Sequence, residues 1–175
     1  MKYFKKIEGE KVYLSPMNLE DIEKYVKWMN DFSTTDGLGS SSKVTTFESE
    51  RAWLINNMDK KEQQFAIVLK ETDKLIGNCG FVDINHLHQR GEVGLFIGEE
   101  ENRSKGYGTE ALSLLAFSYF EGEDYKMAAV TWAMMLRLLE PDDPRVPMLE
   151  KSIRAARDAL ALQEEEKAKS ITPEK

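Results

Sequence analysis

The spacing of apolar residues changes character along the chain. Through roughly the first two thirds, short strand-like runs alternate with helical stripes, and beyond about Phe120 only the helical period remains. Lys11 to Leu14 predicts an opening strand. Asn18 then offers an N-cap for a helix with Ile22, Val26 and Met29 on its inward stripe, and with Glu20 and Asp21 in the first turn where the helix dipole favours acids. A Gly/Ser-rich stretch from Asp36 to Lys43 reads as a loop, either a lid or plain slack. Thr45 with Glu48 makes a capping box for a second helix through Trp53 and Leu54.

Gln64 to Leu69 is a compact apolar strand, Thr72 and Asp73 form a polar turn, and Leu75 to Ile84 returns as a longer strand, together an antiparallel hairpin. Gly91 to Ile97 alternates Val93, Leu95 and Ile97 on one face with Glu92, Gly94 and Phe96 on the other, which predicts a third consecutive strand. An acidic loop, Glu99 to Asn102, follows. It leads through Arg103-Ser104-Lys105-Gly106-Tyr107-Gly108 into a helix that starts at the glycines and ends near Phe120.

Tyr125, Ala128, Trp132, Met135 and Leu139 then recur at helical spacing up to Pro141 and Pro144, although Met127 to Trp132 also tolerates a strand. A further helix carries Pro147 in its early turn and Leu149, Ile153, Ala156 and Leu160 along its apolar edge. The charged tail from Gln163 to Lys175 is expected to fray into solvent. The whole predicts an α/β (α+β) fold, a mixed and largely antiparallel sheet with flanking helices over residues 1 to 121, continued by an α-helical hairpin over 122 to 175.

A net charge of -7 supplies no global positive field for a nucleic-acid backbone or an anionic bilayer, so any anion must be bound locally. No stretch approaches the roughly 18 apolar residues of a membrane span. The single cysteine, Cys79, has no partner within the chain and sits mid-strand as a small buried side chain, and a reducing cytoplasm fits that usage. His86 and His88, one residue apart and without a third ligand, do not make a metal site.

The chemistry concentrates where a strand gives way to a helix. Gly106 and Gly108 allow backbone N–H groups to converge on a phosphate at the positive end of the helix dipole, and Arg103 and Lys105 can pair with oxygens the backbone does not reach. A solvated strand-to-helix turn is the plainer alternative.

Four stretches carry a family resemblance: Lys11-Val-Tyr-Leu, Lys74-Leu-Ile-Gly-Asn-Cys-Gly-Phe, Gly91-Glu-Val-Gly-Leu-Phe-Ile and Asn102-Arg-Ser-Lys-Gly-Tyr-Gly-Thr-Glu-Ala. On these, residues 1 to about 118 resemble the GNAT superfamily of acetyl-CoA-dependent N-acetyltransferases, of the ribosomal-protein and spermidine acetyltransferase type. The resemblance implies that Arg103, Ser104, Lys105, Gly106, Tyr107, Gly108 and Thr109 cradle the coenzyme A diphosphate. It also implies that the backbone of Leu95, Phe96 and Ile97 receives the pantetheine arm, and that a primary amine, a small polyamine or a protein N-terminus, attacks the thioester directly. Glu92 is the candidate base, a solvated strand acid being the alternative.

The family's fifth strand, its Asn-x-x-Ala helix with a tyrosine, and its final strand pair are not recognisable in this sequence. In their place residues 114 to 162 resemble a tetratricopeptide-like C-terminal repeat of cytochrome c maturation proteins, with Tyr119, Tyr125, Ala128, Trp132 and Pro141 near the marked positions. The combination reads as a chimera spliced inside one helix. It leaves a second function open: a non-catalytic module that binds coenzyme A, or one that uses its C-terminal helices to contact a protein partner or a second copy of the chain.

Overall fold

The computed structural model describes residues 2–58, 64–85 and 90–171. It contains a five-stranded sheet in the order β1 (Ile7–Glu8), β2 (Val12–Pro16), β3 (Phe65–Leu69), β4 (Leu75–Asn85), β5 (Arg90–Ile97), every pair antiparallel. The four predicted strands are present as β2 to β5, and β1, only two residues long, carries no periodic signal to read. Asp73, at φ 52°, makes the β3–β4 turn, and its carboxylate accepts a hydrogen bond from the Tyr13 hydroxyl at 2.8 Å. The β4–β5 register shifts between Phe81 and Asp83, a bulge that re-aims the strand ends.

One sheet face is covered by α1 (Ile22–Met29), the single turn α2 (Phe32–Thr35) and α3 (Phe47–Met58). Tyr13, Tyr25, Trp28, Leu54, Val68 and Leu75 form its core, with Trp53 and Phe96 packed against them. Each such side chain, fully removed from water, contributes about 1.5–3 kcal/mol. The inward residues of α1 are Tyr25 and Trp28, while the expected stripe of Ile22, Val26 and Met29 is only half-buried, because aromatic bulk fills the space between helix and sheet. Asn18 does cap, but it caps a 3-10 turn over Leu19–Asp21 through the Glu20 N–H. The capping box of α3 lies one residue later than Thr45 and Glu48: the Ser49 N–H donates to Thr46 Oγ1 at 3.1 Å, and the Thr46 N–H to Ser49 Oγ at 3.0 Å.

On the opposite face Val12, Leu14 and Ile67 are also fully buried. The helix α4 (Tyr107–Glu121) is tied to the sheet near its start, where Glu110 Oε1 accepts the N–H groups of Lys11 at 2.8 Å and Val12 at 3.3 Å.

By packing, the chain falls into two units that divide between Leu114 and Leu115, and α4 runs through the division. The second unit holds the end of α4 with α5 (Tyr125–Arg137) and α6 (Val146–Ile171). Met127 to Trp132 is helical, so the strand alternative for this stretch is excluded. Asp124 caps α5 by accepting the Met127 N–H at 3.2 Å. Trp132 packs edge-on against Phe117 at 5.4 Å, and Met135, Leu149, Ile153 and Ala156 complete the buried seam between α5 and α6. The tail departs from expectation: residues 164–170 are exposed, yet the chain stays helical to Ile171, where Lys and Glu are good helix formers.

Candidate active site

Two neighbouring structures in the first unit carry chemistry, the loop ahead of α4 and a cleft over β5. The first intrahelical bond of α4 runs from the Glu110 N–H to the Gly106 carbonyl, so the amides of Tyr107 and Gly108 lie in the unsatisfied first turn. Gly106 takes φ 82° and Ser104 φ 60°, and Ser104, Lys105 and Gly106 are all exposed. Gly108 packs close to β5: a Cβ there would lie 3.1 Å from the Leu95 side chain, a tight contact that Leu95 would have to yield to. Thr109 Oγ1 donates to the Gly106 carbonyl at 2.9 Å and stiffens the turn. An outward-facing turn of amides at a helix N-terminus suits a diphosphate.

Arg103 is placed differently from the sequence reading. Its guanidinium turns back from the loop: Nε donates to the Ile97 carbonyl at 3.0 Å, Nη1 to the Ser33 carbonyl at 2.9 Å, and Nη2 to Thr34 Oγ1 at 2.9 Å and the Gly98 carbonyl at 3.1 Å. With most of its donors taken, this side chain fastens α2 and the end of β5 together, and Lys105 is the basic side chain left facing solvent in the loop.

Among the described residues β5 is the edge of the sheet. The Gly98 N–H donates to the Ile76 carbonyl of β4 at 2.9 Å, and by antiparallel alternation Phe96 also turns its peptide groups to β4 while Leu95 and Ile97 turn theirs away. Of the three residues expected to meet pantetheine, Leu95 and Ile97 therefore present outward peptide groups, the Ile97 carbonyl being taken by Arg103. Phe96 contributes its ring, 5.8 Å from that of Trp28.

The cleft has a volume of about 410 Å³ and is lined by Gly94, Leu95 and Phe96 of β5, by Glu92 at its exposed end, by Asn78 and Val82 of β4, and by Tyr25, Glu50 and Trp53 of the helical layer. Leu38, Ser40 and Lys43 place the Gly/Ser-rich loop over it, so that segment borders the site.

Glu50 and Tyr25 were not singled out by sequence. Glu50 is only 6% exposed, and burial holds its carboxyl above the ordinary range. Tyr25 is 1% exposed and its hydroxyl has no hydrogen-bond partner, although the Asn78 side chain is close enough to influence it; burial again raises its ionisation. A signal for Glu50 did exist, since Glu50, Leu54 and Asn57 follow the i, i+4, i+7 spacing of a buried helix face. Cys79 is buried in β4 with its thiol pushed up to about 12, an inert state. His86 and His88 lie outside the described residues. No helix among the described residues is long and apolar enough to cross a membrane.

Three comparisons place this geometry among known proteins. The chain is 27% identical over 163 residues to the uncharacterized N-acetyltransferase p20 of Bacillus licheniformis, covering 91% of this chain and 86% of that one. Its fold is similar to that of a GNAT-family acetyltransferase from Bacillus anthracis, with a TM-score of 0.55 at 23% identity over 67% of this chain and 68% of the other. A stretch of 73 residues, 42% of this chain, is 74% identical to a cytochrome c-type biogenesis protein, CcmH, of Haemophilus influenzae, of whose length it spans only 16%. The family model described as Acetyltransferase (GNAT) domain matches residues 11–146, covering β2 to β5, the lining of the cleft and the loop ahead of α4, and on that match the chain belongs to the GNAT acetyltransferase family.

Proposed function

We propose that the protein transfers an acetyl group from acetyl-CoA to a primary amine. The observation that carries this reading is the adjacency of the exposed loop and half-buried first turn of α4 to the outward-turned peptide groups of β5, with a cleft on the same strand. In this reading the amides of Tyr107 and Gly108, with Lys105, hold the diphosphate. Leu95 and Ile97 receive the amide-bearing arm as an additional strand would be received. Gly106 and Thr109 shape the turn, and Ser104 lends its positive φ to the same bend.

The thioester then lies beside the cleft. A neutral acceptor nitrogen forms the new C–N bond as the C–S bond breaks, and the sulfur leaves as thiolate. Glu92, exposed at the cleft end, takes up the proton the amine must lose. Arg103 acts at one remove by fixing the end of β5.

Release of free thiol from acetyl-CoA, measured with small amines and with short peptides, tests the reading. Turnover with at least one acceptor is expected, with Glu92→Gln lowering kcat by about 10²–10³-fold. Thiol release indistinguishable from background for every acceptor defeats it.

A second reading follows from the helical hairpin that stands after α4, where the resemblance leads one to expect strands. A coenzyme A-binding or protein-contacting module without turnover would bind coenzyme A by calorimetry and fail the thiol assay.

A further inference from the structure

Three elements of the sheet unit meet at one guanidinium. Arg103 opens the loop ahead of α4, and its side chain donates to the Ile97 and Gly98 carbonyls at the end of β5 and to the Ser33 carbonyl and the Thr34 hydroxyl of α2. α2 does not need this side chain to stay attached to β5, because buried Thr34 donates its own hydroxyl to the Gly98 carbonyl at 3.0 Å. What Arg103 adds is the third body, the loop ahead of α4. A planar fork of donors holds several oxygens in one mutual geometry, which a point charge on a flexible stem does not. The guanidinium's partners among the described residues are all neutral oxygens, so no carboxylate cancels its charge and it still adds to the field at the loop.

The connection continues from α2 to the cleft. The Thr35 carbonyl, at the end of α2, accepts the N–H groups of Leu38 and Ser40, both at 3.1 Å, and the Ser40 carbonyl accepts the Lys43 N–H at 2.9 Å. Gly39, at φ 62°, lets the chain double back between the first two of these bonds. Leu38, Ser40 and Lys43 are the residues of the segment 36–43 that line the cleft. A continuous series of hydrogen bonds therefore runs from the start of the phosphate loop through Arg103 and α2 to the cleft margin, all of it inside the first unit. Its two ends are held unequally. Thr34 and Thr35 of α2 are buried, whereas Ser104 and Gly106 keep positive φ in an exposed turn, a conformation that an anion on its amides stabilises.

We propose that Arg103 is a positioning residue that couples the two parts of the site: coenzyme A on the loop ahead of α4 fixes, through Arg103 and α2, the segment 36–43 at the cleft margin. The proposal rests on reading that loop as the coenzyme's place. With a diphosphate seated on the Tyr107 and Gly108 amides the loop keeps one bend, Arg103 keeps one grip on α2, and the Thr35 carbonyl keeps its hold on Leu38 and Ser40. Such coupling is reciprocal, so whatever fills the cleft tightens coenzyme A binding by the same factor.

Amide hydrogen exchange at Leu38 and Ser40 tests this, measured without coenzyme A and at a concentration that calorimetry shows to saturate each variant. In the parent, coenzyme A is expected to slow exchange of both amides at least about fivefold. Arg103→Lys keeps the charge and loses the fork, so it is expected to bind coenzyme A while the slowing falls below about twofold. Thr34→Val removes one partner of the guanidinium and is expected to fall between those values. It carries the test if the lysine variant does not fold, and full parental slowing in it overturns the proposal. Lys105→Ala binds coenzyme A more weakly, yet at saturation its slowing is expected to match the parent. A merely structural Arg103 gives another result: in Arg103→Lys both amides exchange faster with and without ligand, and coenzyme A still slows them by the parental factor, which overturns the proposal. Coenzyme A that binds the parent without slowing either amide sinks this inference alone. A parent that binds no coenzyme A sinks the transferase reading and this coupling with it.

Discussion

Both units are built around tryptophan and its aromatic neighbours, and they treat buried polar groups in opposite ways. In the helical unit Trp132 is enclosed by Phe117 and Phe120, and Thr131, fully buried beside it, donates to the Met127 carbonyl at 2.8 Å. In the sheet unit Trp28 is enclosed as tightly, but among the described residues the Tyr25 hydroxyl alongside has no hydrogen-bond partner, Glu50 is buried nearby, and a cleft opens between rings and strand. The helical unit spends its polar groups on its own backbone. The sheet unit leaves one buried hydroxyl unpaired beside its cleft.

The strongest test of this contrast is Trp132→Ala. It should cost about 3–5 kcal/mol by chemical denaturation, the usual cost of emptying a large aromatic site, with coenzyme A affinity retained in the folded fraction. Loss of coenzyme A binding in the folded variant would break the separation of roles.

Next comes Gly98→Ala, at about 3 kcal/mol. Its Cβ would collide with the indole ring of Trp28, which is 1% exposed and cannot move aside. This change should also shift β5, so coenzyme A binding is expected to weaken with stability. Calorimetry after confirmation of folding checks that coupling.

The two basic residues of the loop sharpen the comparison within the site itself. Arg103→Ala should cost about 2 kcal/mol by denaturation, because it removes the side-chain donor to the Ile97 and Ser33 carbonyls and leaves the Gly98 carbonyl with the Thr34 hydroxyl alone. Lys105→Ala should leave stability within about 0.5 kcal/mol and lower coenzyme A affinity by roughly tenfold, as expected for an exposed phosphate contact. Equal effects on stability would show that the loop lysine is structural too.

The smallest effect has the opposite sign. Burial raises the Glu50 carboxyl above its ordinary value of 4.5, so the folded state holds this proton more tightly than the unfolded chain. Stability from the protonated group is present below that value and is lost as pH rises through the folded ionisation point. Glu50→Gln should accordingly melt higher than the parent at pH 8, by an amount equivalent to about 1 kcal/mol, with the gap closing as pH falls toward 4.5. Melting curves across that range decide it.

The sequence revealed most where residues act through local spacing. The β3–β4–β5 run was legible from alternation, and the start of α4 from Gly106 and Gly108. The helix starting at Tyr125 was legible from spacing too, although the same residues left a strand open over Met127 to Trp132. The sequence failed where a side chain's fate depends on distant elements. Arg103 looked like a phosphate ligand because its loop is short and basic, yet the carbonyls of Ser33, Ile97 and Gly98, brought together only by the fold, are better placed to receive it. Glu50 was passed over because an acid in the first turn of a helix is ordinary, and only packing shows that this one faces a cleft instead of solvent. Charge near a terminus suggests fraying, yet the same Lys and Glu favour continued helix, which runs to Ile171.

The outward peptide groups of Leu95 and Ile97 have a further consequence, for solubility. Among the described residues β5 ends the sheet, and although Arg103 occupies the Ile97 carbonyl, the other outward groups make it a template for any extended chain, including the same strand of a second molecule. A ligand laid along it blocks that template. The apoprotein is therefore expected to self-associate at concentrations where the ligand-saturated form remains dispersed, which makes light scattering with and without coenzyme A a measure of who occupies the margin of the sheet.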